Sequence, residues 1–267
     1  MINIINTCGQ FIELIRSKLT GYLKYLGGNA VLFAQTIFWT FAPGMRKRQV
    51  LQQMGSVGVA SFPIVFLISF FTGMVLALQS AYQMQKVSAA MYIASLVSLS
   101  LVRELGPVLT ALIVAGRCGA AITAEVGTMK VTEQIEALET LSANPIQHLV
   151  VPRFLALLVM LPLLTIYADV FGILGGYLIG VGKLHIPPAM YMKMTWDPMQ
   201  LKDVMTGVIK SISFALIICN IACFEGFNAK EGAEGVGMAT TSSVVRSFIL
   251  IIVVDCLLTA MFYFFVR

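Results

Sequence analysis

The sequence predicts an all-α, polytopic membrane protein, and three observations carry that reading. Hydrophobic residues make up 58% of the 267 positions and charged residues only 12%, whereas soluble domains are about 45–50% apolar and about 25% charged. Mean hydropathy is +0.87. Apolar runs of roughly 20 residues, the length a helix needs to cross a bilayer, recur along the chain. No polar block is long enough to make a separate soluble domain. The net charge of +5 fits the excess of Lys and Arg on cytoplasmic loops of membrane proteins. Nucleic-acid binding is not expected, because the basic residues are scattered. The one short run, Arg46-Lys47-Arg48, reads as a cytoplasmic membrane edge.

Residues 1–48 form a first segment of mixed character. Glu13, Arg16, Lys18 and Lys24 interleave with apolar positions, and Gly27-Gly28 breaks the pattern. The apolar run 30–42 is too short to span upright. The expectation is an amphipathic segment lying in the membrane interface, with a sixth span there as the alternative. Five spans follow, at about 55–82, 89–124, 148–182, 201–224 and 241–266. The second is too long for a simple crossing: about 36 residues at ~1.5 Å each is about 54 Å. It must tilt, kink near Gly106-Pro107 or project beyond the bilayer.

Placing the N-terminus in the cytoplasm puts ten Lys and Arg inside and five outside, which favours that orientation. The C-terminus then faces out, and no cleaved signal peptide is expected. The loop 125–147 becomes cytoplasmic. Within it Val131, Ile135, Leu138 and Leu141 lie at helical spacing on one face, and Glu133, Glu136 and Glu139 on the other. Asn144-Pro145 should end this short surface helix, placed at about 128–144. Spacing alone leaves two readings open: a solvated connector, or a docking helix for a cytoplasmic partner. Gly172, Gly176 and Gly180 recur every four residues in the third span, a small-residue face that favours close helix packing.

Charges inside the spans are the main functional signal. Arg103 and Glu104 lie in the second span, Lys210 in the fourth and Asp255 in the fifth, with Asp169 of the third as a further candidate. Each costs ~2.5–3.5 kcal/mol at a helix centre on insertion scales, so they must pair, face a wet cavity, or both. Neighbours on a helix point about 100° apart, so Arg103 and Glu104 should find different partners. Lys210 and Asp255 are expected to pair across spans four and five. A structural polar clamp and a cavity for an amphipathic substrate with a charged head both satisfy the pattern.

Other chemistry is missing from the text of the sequence. Two histidines occur without HExxH, and neither GxxxxGK[ST] nor GxSxG is present, so neither a metal hydrolase, an ATP-binding loop nor a serine nucleophile is expected. The Gly-rich segment around 224–243 reads as a flexible turn capping the fifth helix. The five cysteines lack metal-site or CxxC spacing and are read as small hydrophobes. An ion-coupled secondary transporter, with Glu104 or Asp255 as proton carrier, remains a rival; it would often show inverted repeats, and none is evident. A scaffold that merely anchors other proteins is a third reading.

The block "LVRELGPVLTALIVAGRCGAAITAEVGTMKVTEQIEALETLSANPIQHLVVPR", residues 101–153, closely resembles the MlaE (YrbE) family of ABC-transporter permeases. "PLLTIYADVFGILGGYLIG" and "GAEGVGMATTSSVV" continue the likeness, which covers most of the chain from residue 49 onward. The resemblance implies a homodimeric permease in a bacterial inner membrane that moves phospholipids between inner and outer membranes and maintains outer-membrane lipid asymmetry. It implies no cofactor in this chain, with ATP and Mg held by a separate cytoplasmic ATPase. It also implies a periplasmic MCE-domain lipid-binding partner and, often, a small STAS-domain protein. By the same likeness, the helix carrying Glu133, Glu136 and Glu139 is the ATPase coupling helix. Arg103, Glu104, Lys210 and Asp255 line a lipid cavity, with Leu76 and Tyr82 as tail contacts.

Overall fold

The computed structural model describes residues 2–42, 47–86 and 89–265, and these are mostly helical, with short turns between helices and no strand among them. Five stretches are long and apolar enough to cross a membrane: Lys47–Met84, Ile93–Val131, Ile146–Gly182, Leu201–Phe227 and Gly232–Phe264. They match the expected spans in number and order, and the protein is a multi-pass membrane protein. The ends of the spans differ from expectation, for local reasons.

The N-terminal segment is one helix, α1 (Ile2–Thr40), unbroken at Gly27-Gly28. A Cβ at Gly28 would lie 2.7 Å from the Phe224 ring, so this glycine serves contact with a later span and not a break. Leu32 is buried there and Phe33 packs against the main core. Among the described residues, α1 is not apolar enough to count as a sixth span. Arg46 lies outside the described residues; Lys47 and Arg48 open α2 (Lys47–Val57). A single 3-10 turn, Val59–Ser61, joins α2 to α3 (Phe62–Lys86). The turn falls where Gly58 meets Met160 so closely that a Cβ would stand 1.8 Å from its methyl carbon.

The second span is α4 (Ile93–Ser100), α5 (Gly106–Val114) and α6 (Ala120–Val131), joined by π-helical turns at Leu101–Leu105 and Ala115–Gly119. The distortion expected at Gly106-Pro107 takes this form. Pro107 has no N–H, so the Arg103 carbonyl loses its helical donor. The turn before it widens, and Gly106 N–H reaches back five residues to Leu101 O. Such bulges recur at functional sites, and this one holds Arg103 and Glu104.

Helix α6 runs on to Val131, so the surface helix is shorter than expected: α7 (Gln134–Thr140). Glu133 at φ 58 and Ser142 at φ 56 bracket it. Ala143 N–H bonds Leu138 O at 3.0 Å, closing α7 and turning Leu141 outward, 78% exposed. Leu141 therefore leaves the predicted apolar face. Asn144 caps the next element, its Oδ1 accepting from Ile146 N–H at 2.9 Å. A π turn, Ile146–Val150, lies between Pro145 and Pro152 and leads into α8 (Val151–Gly182). A short α9 (Pro188–Trp196) precedes α10 (Leu201–Phe227). The last helix, α11 (Gly232–Phe265), starts nine residues earlier than the sequence suggested. The Gly-rich segment is mostly helix. Its turn is confined to a few residues ending at Gly232, φ +84, and Gly235 lets the turn fold back, since a Cβ there would lie 2.2 Å from Lys230 O.

Helices α8 and α10 form the centre, with Leu157, Leu161, Leu164, Phe214 and Ile218 fully buried. Gly172, Gly176 and Gly180 do face neighbours, as a packing face should. A Cβ at Gly73 would stand 1.9 Å from Gly172 O, one at Gly175 2.2 Å from Phe70 O, and one at Gly180 2.2 Å from the Tyr191 ring. This backbone-close seam joins α3 to α8 and seats α9 on the end of α8. Helices α3 and α11 present apolar side chains outward, among them Phe71, Val75, Ile252 and Leu257, as surfaces meeting lipid or another chain do.

Candidate functional site: an ionic cluster within the spans

The sequence-predicted charges assemble into one site. Lys210 is fully buried. Its Nζ donates to Glu104 Oε2 at 2.5 Å and to Thr259 Oγ1 at 2.7 Å. Asp255 Oδ1 lies 2.9 Å from the same nitrogen, an ion pair in reach but off hydrogen-bond angles, since that oxygen meets no bonded partner. The Thr259 hydroxyl closes a ring with Glu104, 3.1 Å from Oε1 and 3.2 Å from Oε2. The expected Lys210–Asp255 pair is therefore present, and Glu104 joins it.

Arg103 turns elsewhere, as adjacent helical positions require. Its Nε and Nη2 both stand 2.7 Å from Asp203 Oδ1. Asp203 Oδ2 accepts from Gln200 N–H at 2.9 Å, so one carboxylate caps α10 and holds the guanidinium. Counted as ionised, the group has two cations and three carboxylates, one net negative charge. Its polar surface is open: the Arg103 side chain is 51% exposed and Glu104 41%, while Lys210 behind them is wholly covered.

The cluster lies toward one end of the helices that carry it, and one candidate is corrected. Arg103 is ten residues from Ile93 and Lys210 nine from Leu201, about 14–15 Å from the α9 end of the bundle at 1.5 Å per residue. Asp169 is no member: it is buried against Gly106, whose Cβ would lie 1.8 Å from Asp169 Oδ1, and that oxygen has no partner. Sequence reasoning missed Asp203 and Thr259. Asp203 sits three residues after Gln200, where an acidic residue serves as a helix cap. Thr259 lies one turn beyond Asp255 on the same face, a spacing that brings side chains together.

Leu76 and Tyr82 lie on α3, outside the cluster. Leu76 packs against a small core of Ala77, Ile93 and Val97. Tyr82 is exposed, with Lys86 Nζ 4.3 Å above its ring. At the opposite end of the bundle, Glu136 is tied to Lys130, and that hydrogen bond holds its carboxyl below the usual carboxylate range. Glu133 and Glu139 are exposed. Ile135 is buried and Leu138 half-buried, so α7 is fixed to the bundle by its apolar side. Glu125, which the sequence reading passed over, accepts from Arg153 at 2.8 Å and ties α6 to α8. Among the described residues no three His, Cys, Asp or Glu side chains come together as a metal site needs.

Fold and site thus define a class: an all-helical, multi-pass membrane protein with a charged, partly open cluster inside its spans and a short acidic helix at the other end. Comparison with known proteins narrows it. The Permease MlaE family model matches residues 50–261. A probable ABC transporter permease protein of Rickettsia typhi is 44% identical over 256 residues, covering 92% of this chain and 99% of that one. The intermembrane phospholipid transport system permease protein MlaE of Haemophilus influenzae is 36% identical over 262 residues, 95% and 98% of the two chains. A probable ABC transporter permease protein of Synechocystis is 39% identical over 238 residues, 89% and 90%. The chain belongs to the MlaE permease family and is a permease subunit of an ABC transporter.

Proposed function

We propose that this permease moves phospholipids between the inner and outer membranes of a bacterial envelope and so maintains outer-membrane lipid asymmetry. The observation that carries the reading is the ionic cluster: Arg103 and Glu104 stand half-exposed on the flank of the bundle at a depth where lipid would otherwise surround them. A bare charged flank at that depth is costly. A second copy of the chain covering it would enclose a cavity with charged groups for a headgroup and apolar helix faces for acyl chains. The name of the Haemophilus relative supports the substrate class.

The chain works as a homodimer with its N-terminus in the cytoplasm and its C-terminus in the periplasm. A separate cytoplasmic ATPase binds ATP and Mg and docks on α7, where Glu133 and Glu139 are free to meet it. An MCE-domain lipid-binding protein takes the periplasmic side, and a small STAS-domain protein accompanies the ATPase. Leu76 and Tyr82 contact acyl chains near the outer end of α3.

The test is co-purification in mild detergent followed by mass spectrometry of proteins and lipids. An ATPase, an MCE-domain protein and bound phospholipid support the reading. A lone chain that moves solute in liposomes in response to an ion gradient overturns it in favour of a secondary transporter.

A further inference from the structure

A second polar site lies away from the cluster, in a groove of about 870 Å³ between α1, α10 and α11. Its walls are apolar: Phe33 from α1, Leu216 and Ile217 from α10, and Ile249, Leu250 and Val254 from α11. One end is polar. There Arg246 lies over the Tyr25 ring at 4.3 Å, and the Tyr25 ring is braced edge-on by Phe224 at 5.2 Å. Glu225 pairs with Arg246. The carboxylate is behind and the guanidinium in front: the Glu225 side chain is 10% exposed against 46% for Arg246, and Arg246 lines the groove while Glu225 does not. Nearby amides answer each other, Asn220 Nδ2 donating to Asn29 O and Oδ1 at 3.2 Å. Arg246 is thus the cation that the groove offers to a ligand.

Depth agrees with this chemistry. Helix α10 has 27 residues, about 40 Å at 1.5 Å per residue, which matches a bilayer including its headgroup layers, ~40–45 Å. Glu225 is two residues from the end of α10, so the Arg246 pair sits at a headgroup layer. From Arg246 to Val254 the groove runs eight residues along α11, about 12 Å, into hydrocarbon depth. A guanidinium at the headgroup layer above an apolar channel is complementary to a phosphate carrying acyl chains.

We infer that this groove binds one phospholipid molecule, its phosphate on Arg246 and an acyl chain along Ile217, Leu250 and Val254. The site does not depend on the transport reading, since lipid can occupy it whether or not the chain moves lipid.

The test uses the full chain in nanodiscs containing phosphatidylglycerol with a photoreactive diazirine on its acyl chain, with labelled peptides mapped by mass spectrometry. The expected result is labelling of α10 and α11 at the groove. Arg246→Gln should lower that labelling several-fold and Arg246→Lys should restore part of it. Ile217→Trp, which fills the channel, should abolish it, and labelling at Phe71 and Val75 on α3 should stay unchanged in every variant. If Ile217→Trp does not fold, Ile249→Trp on the exposed rim fills the same space. Groove labelling that is insensitive to both the Trp and the Gln variants overturns the site, as does cross-linking of the groove to a second copy of the chain. ATP-driven lipid transfer by the assembled transporter is read separately: its loss with groove labelling intact strikes only the transport reading.

Discussion

Lys210 is the side chain on which the ionic cluster turns. It is fully buried and faces Glu104, Thr259 and Asp255 together. Removing one partner of a buried ion pair costs about 3–5 kcal/mol, because the charges left behind lose their compensation. Lys210→Met should therefore lower the thermal midpoint in detergent sharply, and adding Glu104→Gln with Asp255→Asn should recover most of the loss. A single variant as stable as the parent contradicts the assignment. The pairing was legible in the sequence because lipid forces intramembrane charges to find opposites, and Lys210 and Asp255 stand well inside adjacent predicted spans with opposite signs. Asp203 and Thr259 were not legible in the same way. One lies near a helix start, where a carboxylate needs no further explanation, and the other carries no charge. Asp169 shows the converse: a charge-bearing residue in a span that the fold buries against Gly106, away from the others.

Among the helices, the α3–α8 seam depends on absent side chains. Gly175→Ala would put a methyl 2.2 Å from Phe70 O, a backbone atom that cannot rotate away, and overpacking of this kind costs about 1–3 kcal/mol. Gly182, in the same helix with nothing within 4 Å, is the control: Gly182→Ala should be neutral or stabilise by about 0.5–1 kcal/mol. Thermal unfolding of the two variants separates a packing seam from a general intolerance of change. The glycine spacing made this seam legible. The limits of the second and fifth spans were not, because hydropathy falls at 125–131 and 232–240 although the helices continue. Helix α7 carries its own prediction. Reversing Glu133, Glu136 and Glu139 together should weaken association with the ATPase, and normal co-purification would remove the docking role from those charges. The Glu136–Lys130 tie follows pH in a defined sense. A carboxyl held below its ordinary value stabilises the folded form above that value and loses the contribution as pH falls through the lowered one. The anchoring of α7 to α6 should therefore hold at neutral pH and slacken in acid, seen as faster amide exchange over 134–140.

At the scale of the whole molecule, α8 and α10 supply much of the buried core, and α3, the second span and α11 pack against them. Fold class, span number and family were legible in composition, periodicity and the block 101–153. The half-exposure of Arg103 and Glu104 was not legible in periodicity, because it depends on how the spans pack. The central claim is that these exposed charges serve lipid transfer and not only stability. The most direct measurement is ATP-driven transfer of fluorescent phospholipid by the reconstituted transporter, comparing the parent with Glu104→Lys and Arg103→Glu after assembly of each has been verified. Transfer reduced at least tenfold in complexes of normal composition is the predicted result. Transfer at the parental rate would contradict the account and leave the cluster a structural clamp.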